Sequence, residues 1–174
     1  ARLSRTDHRH DPNMTRILFF GDLAATGFGT VTTNLGREML AQGHDLRFVS
    51  QNDLGELDEP FASRPFSVND YRLGWMNAQE VFDHGICAGL IDGSLWADHW
   101  TPECVILTGD FYGVRGLVFR HEGDEKAFRN TPTLHYAPIE GEQLPPAWGV
   151  LWSFVTPGAM SEFGATEIAK VTGT

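Results

Sequence analysis

Five apolar or alternating runs along the chain predict strands. The first, Ile17–Phe20, is a continuous apolar run, which is typical of a strand buried on both faces of a parallel sheet. Apolar residues then recur at helical spacing and predict a helix from about Thr30 to Gln42, with Gly43 at the position where a helix ends. The other predicted strands are His44–Ser50, Cys104–Thr108, Thr133–Ile139 and Phe154–Met160.

Helical patterns separate these strands. They cover Ala78–Trp96 with glycine interruptions, 111–120, Gly123–Arg129, a short segment opened by Pro145 and Pro146, and Glu162–Val171 after the capping residue Ser161. Alternating strands and helices predict an α/β fold with an open, mostly parallel, Rossmann-like sheet and helices on both faces. Pro157 predicts that the last strand is irregular or lies at an edge. A polar loop is expected over 51–74, with a short strand near Phe66–Val68.

Composition and charge narrow the class of protein. The 174 residues fit one domain, residues 14–174, and residues 1–13 are expected to be a mobile extension or a cloning remnant. The net charge of −10, from 13 basic and 23 acidic residues, argues against a nucleic-acid partner and against anionic membrane surfaces. No apolar run approaches the ~18 residues of a membrane span, so none is expected.

The chain offers no pattern for a metal or a cofactor. Cys87 and Cys104 lack the spacing of a zinc site, and no HExxH motif or Cys/His cluster is present. We expect both cysteines to be free, buried thiols and the protein to be cytoplasmic, because reducing compartments keep thiols unpaired. No metal and no cofactor are expected.

Carboxylates follow three of the predicted strands. Asp22 and Asp110 each come after a strand-ending glycine, and Glu140 follows Thr133–Ile139. Ligands of such sheets bind outside the carboxyl ends of the strands, so these side chains are candidates for a common rim that accepts hydrogen bonds from sugar hydroxyls. Each aspartate alone equally fits the cap of a following helix or turn.

A glycine- and threonine-rich segment, residues 21–33, follows the first strand. It lacks the Lys-Ser/Thr pair of a P-loop, and Thr32 stands where the dinucleotide fingerprint needs a small residue. Gly27 and Gly29 either allow a close turn with tight packing or leave N–H groups facing an anion or a sugar. On the second interpretation, Thr30 and its neighbouring threonines add hydroxyl groups to the site.

Two aromatic features have competing interpretations as well. His135 lies inside the fourth predicted strand and is either a packed core histidine or a site residue. Trp148 and Trp152 are four residues apart, which favours packing on one helix face over stacking against a sugar.

The order and spacing of three segments resemble a known family. They are RILFFGDLAATGFGTVTTNLGREMLAQGHDLRFVS, TPECVILTGD, and LHYAPIEGEQLPPAW followed by FVTPGAMSEFGATEIAKVTG. Together, over Arg16 to Gly173, they are similar to the N-terminal, acceptor-side domain of GT-B glycosyltransferases, most of all to glycosyltransferase family 4. The resemblance implies metal-independent transfer of a sugar from a nucleotide-sugar donor to an acceptor hydroxyl, usually with retained anomeric configuration.

The resemblance also implies roles for particular residues. Gly27, Gly29 and Thr30 would approach the donor diphosphate. Asp110 and Glu140 are the expected catalytic residues. Asp22, His135 and Ser161 are further substrate-binding candidates on the same rim. Many family members have a histidine just after the strand matching Thr133–Ile139, and whether Glu140 or His135 takes its place stays open.

The resemblance bears on domain organisation too. In this family a C-terminal domain holds the nucleotide, and it is expected to be missing after Thr174. The 174 residues alone would then be inactive and would expose an interdomain face prone to self-association. The alternatives are a complete flavodoxin-like or Rossmann-like module that binds a nucleotide or small anion, and an interaction protein without a ligand.

Overall fold

The computed structural model describes residues 14–22, 26–50, 67–68, 71–72, 87–96 and 98–173. The predicted extension 1–13, most of the predicted loop 51–74 and residues 78–86 of the following predicted helix lie outside the described residues.

The described residues contain seven strands and six helices. The strands are β1 (Arg16–Gly21), β2 (Asp45–Ser50), β3 (Ser67–Val68), β4 (Tyr71–Arg72), β5 (Cys104–Thr108), β6 (Thr133–Ala137) and β7 (Thr156–Ala159). The helices are α1 (Gly27–Ala41), α2 (Cys87–Ile91), α3 (Phe111–Phe119), α4 (Asp124–Asn130), α5 (Trp148–Trp152) and α6 (Glu162–Thr172).

Five strands form one parallel sheet in the order β2-β1-β5-β6-β7, and β3 and β4 form a separate antiparallel pair. The predicted α/β class is therefore confirmed. Counted along the chain, the order of the parallel strands is 2-1-3-4-5, the order of flavodoxin-like sheets rather than the 3-2-1-4-5-6 of dinucleotide-binding domains. The chain changes direction across the sheet between β1 and β5. Among the described strands, β7 is an edge strand, as Pro157 predicted.

Helices cover both faces of the sheet. Phe20 of β1 packs against Phe128 of α4, with ring centroids 6.4 Å apart. Its neighbour Gly21 faces α1, because a Cβ added there would lie 2.6 Å from Oγ1 of Thr32. Adjacent strand residues point to opposite faces, so α4 and α1 cover opposite sides of β1. This explains why the apolar runs of β1 and β5 are continuous rather than alternating.

The first helix begins earlier than the sequence predicted, at Gly27 rather than Thr30. Thr26 caps it, because its side chain accepts a hydrogen bond of 2.9 Å from the Gly29 N–H. The helix ends as predicted, with Gly43 in the left-handed region at φ 89°. The two glycines that the sequence placed in a loop thus belong to the first turn of α1.

Two other helices are shorter than predicted. In the predicted helix Ala78–Trp96, the described part forms only α2, followed by turns. Helix α5 starts at Trp148, after both prolines, whose carbonyl groups accept hydrogen bonds from the N–H groups of Trp148 and Gly149. A tight turn therefore replaces the predicted first helical turn.

Candidate functional site

A cleft of about 350 Å³ opens at the carboxyl ends of the parallel strands. Three connections line it. Phe28 comes from the start of α1 after β1, residues 110–112 follow β5, and residues 138 and 140–145 follow β6. Trp148, at the start of α5, also lines the cleft. The cleft includes the β1/β5 switch point, where sheets of this type bind their ligands.

Asp110 is an exposed residue on this cleft and also the N-cap of α3. Its Oδ1 accepts a hydrogen bond of 2.8 Å from the Gly113 N–H. The two interpretations of Asp110 from the sequence are therefore compatible, since the cap uses one carboxylate oxygen while the side chain lines the cleft. The cap also fixes the direction in which the carboxylate points.

Glu140 lies on the opposite connection, after β6, and is exposed. Within the described part of the chain, no hydrogen-bond or ion-pair partner contacts its carboxylate. Glu142 lines the same cleft two residues later. Sequence reasoning missed Glu142, although its place just after a strand-ending connection was the signal that identified Glu140.

Aromatic rings form the apolar part of the cleft. Trp148 stacks on Phe111, with centroids 4.1 Å apart and planes 5° apart, and meets Trp152 edge-on at 5.8 Å. Tyr112 is 75% exposed at the cleft. The prediction that Trp148 packs within the fold is correct, and the same ring also lines the cleft.

Among the described residues, the lining of the cleft includes no lysine, arginine or histidine. The polar side chains of the described lining are three carboxylates, the amide of Gln143 and the hydroxyl of Tyr112, set among aromatic and aliphatic groups. The carboxylates of such a surface accept hydrogen bonds from a ligand, and its aromatic rings can pack against the apolar face of a ligand ring. An anion, in contrast, would be repelled by the carboxylates.

Gly29 and Thr30 use their N–H groups inside the protein. Gly29 donates to the Thr26 hydroxyl, and Thr30 donates to the Thr26 carbonyl at 2.9 Å. Gly29 is buried, and Gly27 does not line the cleft. Of the described residues in this segment, only Phe28 lines the cleft.

The threonine hydroxyls of α1 are likewise engaged within the protein. Thr30 donates to the Thr26 carbonyl at 3.0 Å and Thr33 to the Gly29 carbonyl at 2.8 Å. Thr32 shares a buried hydrogen bond of 2.8 Å with Thr108. Tight packing and capping therefore account for these residues, and none of the three threonines lines the cleft.

Three other candidates also lie off the cleft. Asp22 is buried and accepts a hydrogen bond from the Thr26 hydroxyl, so it supports the α1 cap. His135 is fully buried beneath the rim. Ser161 caps α6, as predicted, by accepting a hydrogen bond of 3.0 Å from the Gly164 N–H.

The cysteines are free, as expected, but only Cys87 is buried, and Cys104 is half-buried at the start of β5. Across the described ranges, no group of three or more His, Cys, Asp or Glu side chains is placed to hold a metal ion. None of the described helices combines the length and the apolar character needed to cross a membrane.

Comparisons of the chain with protein-family models, curated proteins and solved structures found no match.

Proposed function

We propose that the cleft binds a saccharide acceptor and that the domain is the acceptor-binding half of a glycosyltransferase. The observation that carries the proposal is that exposed carboxylates and aromatic rings line the same cleft, where none of the described lining residues is basic. Sugars present hydroxyl donors around a ring with C–H faces, so they match both parts of this lining. The resemblance of the sequence to GT-B enzymes supplies the reaction.

In the proposed complex, Asp110 and Glu140 accept hydrogen bonds from acceptor hydroxyls. Glu140 is the candidate to accept the proton of the attacking hydroxyl, since no described residue forms a hydrogen bond or ion pair with its carboxylate. Removing the proton from that hydroxyl strengthens the oxygen as a nucleophile toward the anomeric carbon of the donor. Asp110 orients the acceptor, because its own direction is fixed by the α3 cap.

The donor side of the reaction belongs to a second lobe facing this cleft. The N–H groups of Gly27 and Phe28, in the first turn of α1, are the ones that a helix leaves for an outside acceptor. We propose that the Gly27 N–H, which lies outside the carboxylate-lined cleft, approaches the donor diphosphate. The exposed Tyr112 belongs to the surface that the donor lobe, or a second copy of the domain, would cover.

Binding of simple glycosides tests the acceptor site directly. Methyl α- and β-glycosides of glucose, galactose, mannose and N-acetylglucosamine would be titrated while tryptophan fluorescence and amide chemical shifts are followed. We expect saturable binding by at least one glycoside, with shifts confined to residues 110–112 and 138–148. Glu140→Gln should weaken that binding by about tenfold, because the amide oxygen accepts a hydrogen bond without the charge that strengthens it.

Glu122→Gln is the matched control, because Glu122 is exposed and does not line the cleft. It should bind like the wild type. Failure of every glycoside to bind, or equal binding by the wild type and Glu140→Gln, would contradict the proposal.

The strand order favours one alternative, a flavodoxin-like module that binds a nucleotide or small anion at the β1/β5 switch point. The carboxylates of the cleft weigh against it, because a phosphate there would meet like charges and no basic side chain among the described lining residues. Titration with FMN, UDP and inorganic phosphate separates the two. Saturable binding of any of these at residues 110–112, without binding of glycosides, would favour the alternative.

A further inference from the structure

Helix α6 supports the side of the cleft that carries Glu140. We call residues Glu140–Gln143 the acidic lip, since they contribute Glu140, Gly141, Glu142 and Gln143 to the lining. At one end of this segment, Gly164 lies so close to Ile139 that an added Cβ would be 3.3 Å from its Cβ. At the other end, Oε2 of Glu167 accepts a hydrogen bond of 3.1 Å from the Gln143 N–H.

Glu167 is an unusual residue to find at such a contact. It is 3% exposed, and burying a carboxylate is unfavourable unless both its oxygens have partners. Here Oε2 holds the Gln143 N–H, and Oε1 accepts a hydrogen bond from the ammonium group of Lys170. The hydrogen bond from Lys170 is the main reason why the pKa of Glu167 lies below its ordinary value. Burial acts to raise this pKa, and the hydrogen bond from the Gln143 N–H lowers it further. The side chain is therefore charged at neutral pH.

Gln143 has a backbone conformation that needs such support. Its φ of 59° lies in the left-handed region, which residues other than glycine adopt at a cost. The residue is exposed on the cleft, so little packing holds it there. A hydrogen bond to a charged carboxylate is among the stronger ones available to a backbone N–H.

From this geometry we infer that Glu167 is a positioning residue that holds the acidic lip in the conformation that lines the cleft. The inference rests on the proposed function for its consequence, saccharide binding. Its structural part stands on the contact between α6 and the lip alone. Glu167 itself does not line the cleft, so any effect on a ligand acts through residues 140–143.

Amide hydrogen exchange tests the structural part without a ligand. Glu167→Ala removes the acceptor, so exchange of the Gln143 N–H should accelerate by about tenfold or more, the equivalent of a hydrogen bond to a charged group. Glu167→Gln keeps an acceptor without the charge and should give a smaller increase. Lys170→Met, which leaves the carboxylate in place, should keep most of the protection of Gln143.

Ile168→Val controls for general loss of stability. Ile168 is buried in the same helix and does not line the cleft, so the change should lower global stability while the exchange rate of Gln143, relative to other amides, stays unchanged. Exchange of Gln143 that is equally fast in the wild type and in both Glu167 variants would overturn the inference. If Glu167→Ala does not fold, Glu167→Gln decides by the same comparison.

Binding of the glycoside that the wild type prefers tests the consequence. Glu167→Ala should raise its Kd by about tenfold, with Glu167→Gln between the two and Ile168→Val unchanged. An unchanged Kd in Glu167→Ala, despite faster exchange at Gln143, would overturn the role in binding. If the wild type binds no glycoside while Glu167→Ala still frees the Gln143 N–H, the proposed function fails and the positioning of the lip by Glu167 is supported.

Discussion

Trp152 donates its indole N–H to Nδ1 of His135, at a distance of 3.3 Å in the core beneath the cleft. An indole nitrogen only donates, so Nδ1 must be the acceptor nitrogen of the ring. The other ring nitrogen, Nε2, lies 3.1 Å from the Gly109 carbonyl oxygen, which only accepts. His135 is therefore neutral with its proton on Nε2, and it anchors the residue just before Asp110.

This arrangement predicts that stability falls in mild acid. Burial lowers the pKa of His135, although the Gly109 carbonyl and the charge of Asp110 act in the opposite direction. As the pH falls, the histidine of the unfolded chain is therefore protonated first, near pH 6.5. Below that pH the free energy of unfolding decreases, by at most about 1.4 kcal/mol per pH unit. Urea unfolding at pH 7.5, 6.5 and 5.5 measures it.

His135→Gln should be less stable at every pH but should lose this part of the pH dependence, since glutamine both donates and accepts without titrating. His99→Gln, at an exposed position, should keep it. Identical pH profiles for the wild type and His135→Gln would refute the assignment of the titrating group.

The glycine that the packing requires is Gly21, rather than Gly27. A Cβ at Gly21 would lie 2.3 Å from Oγ1 of Thr108 and 2.6 Å from Oγ1 of Thr32, so it would break the hydrogen bond between these hydroxyls. Gly21→Ala should lower the free energy of unfolding by about 1–3 kcal/mol. Gly27→Ala meets no atom within 4 Å and should be neutral, or stabilising by up to about 1 kcal/mol. Denaturant midpoints compare the two, and equal effects would show that the contact at Gly21 relaxes freely.

Thr26 matters more for folding than Thr30 does. Its hydroxyl accepts from the Gly29 N–H and donates to the buried Asp22, so Thr26→Ala removes the cap of α1 and a partner of a buried carboxylate. The expected loss is about 1–2 kcal/mol. Thr30→Ala removes only an exposed bond to a helix carbonyl and should change stability by less than about 0.5 kcal/mol. A larger effect at Thr30, seen in the same unfolding experiments, would point to a role that capping does not explain.

The sequence predicted the strands well because burial on both faces leaves a continuous apolar run. Strand β5 has the predicted bounds, Cys104–Thr108, and β1 differs from its predicted range by one residue at each end. The order β2-β1-β5 was not predictable in this way. It depends on which direction the chain takes across the sheet after β2, and local periodicity carries no information about that direction.

The residues of the candidate site likewise differ in how well the sequence predicted them. Asp110 and Glu140 were found because the carboxyl ends of parallel strands meet at one edge, whatever the strand order. The role of His135 was left open because its partners, Trp152 and Gly109, come from other connections. Whether a polar side chain faces a ligand or the core depends on such distant partners, which spacing along one segment does not reveal.

The two cysteines differ in exposure, and this predicts the order in which they react. Cys87 is fully buried, and burial together with the charge of Asp124 raises the pKa of its thiol well above the ordinary value. Cys104 is half-buried, and burial followed by the charge of Glu103 raises the pKa of its thiol as well. Because the thiolate is the reactive form, both should react slowly with iodoacetamide at neutral pH, Cys104 before Cys87. Mass spectrometry of labelled peptides over time gives the order, and urea should make both thiols react readily. Fast labelling of Cys87 in the folded protein would indicate local opening around α2, which packs against α4.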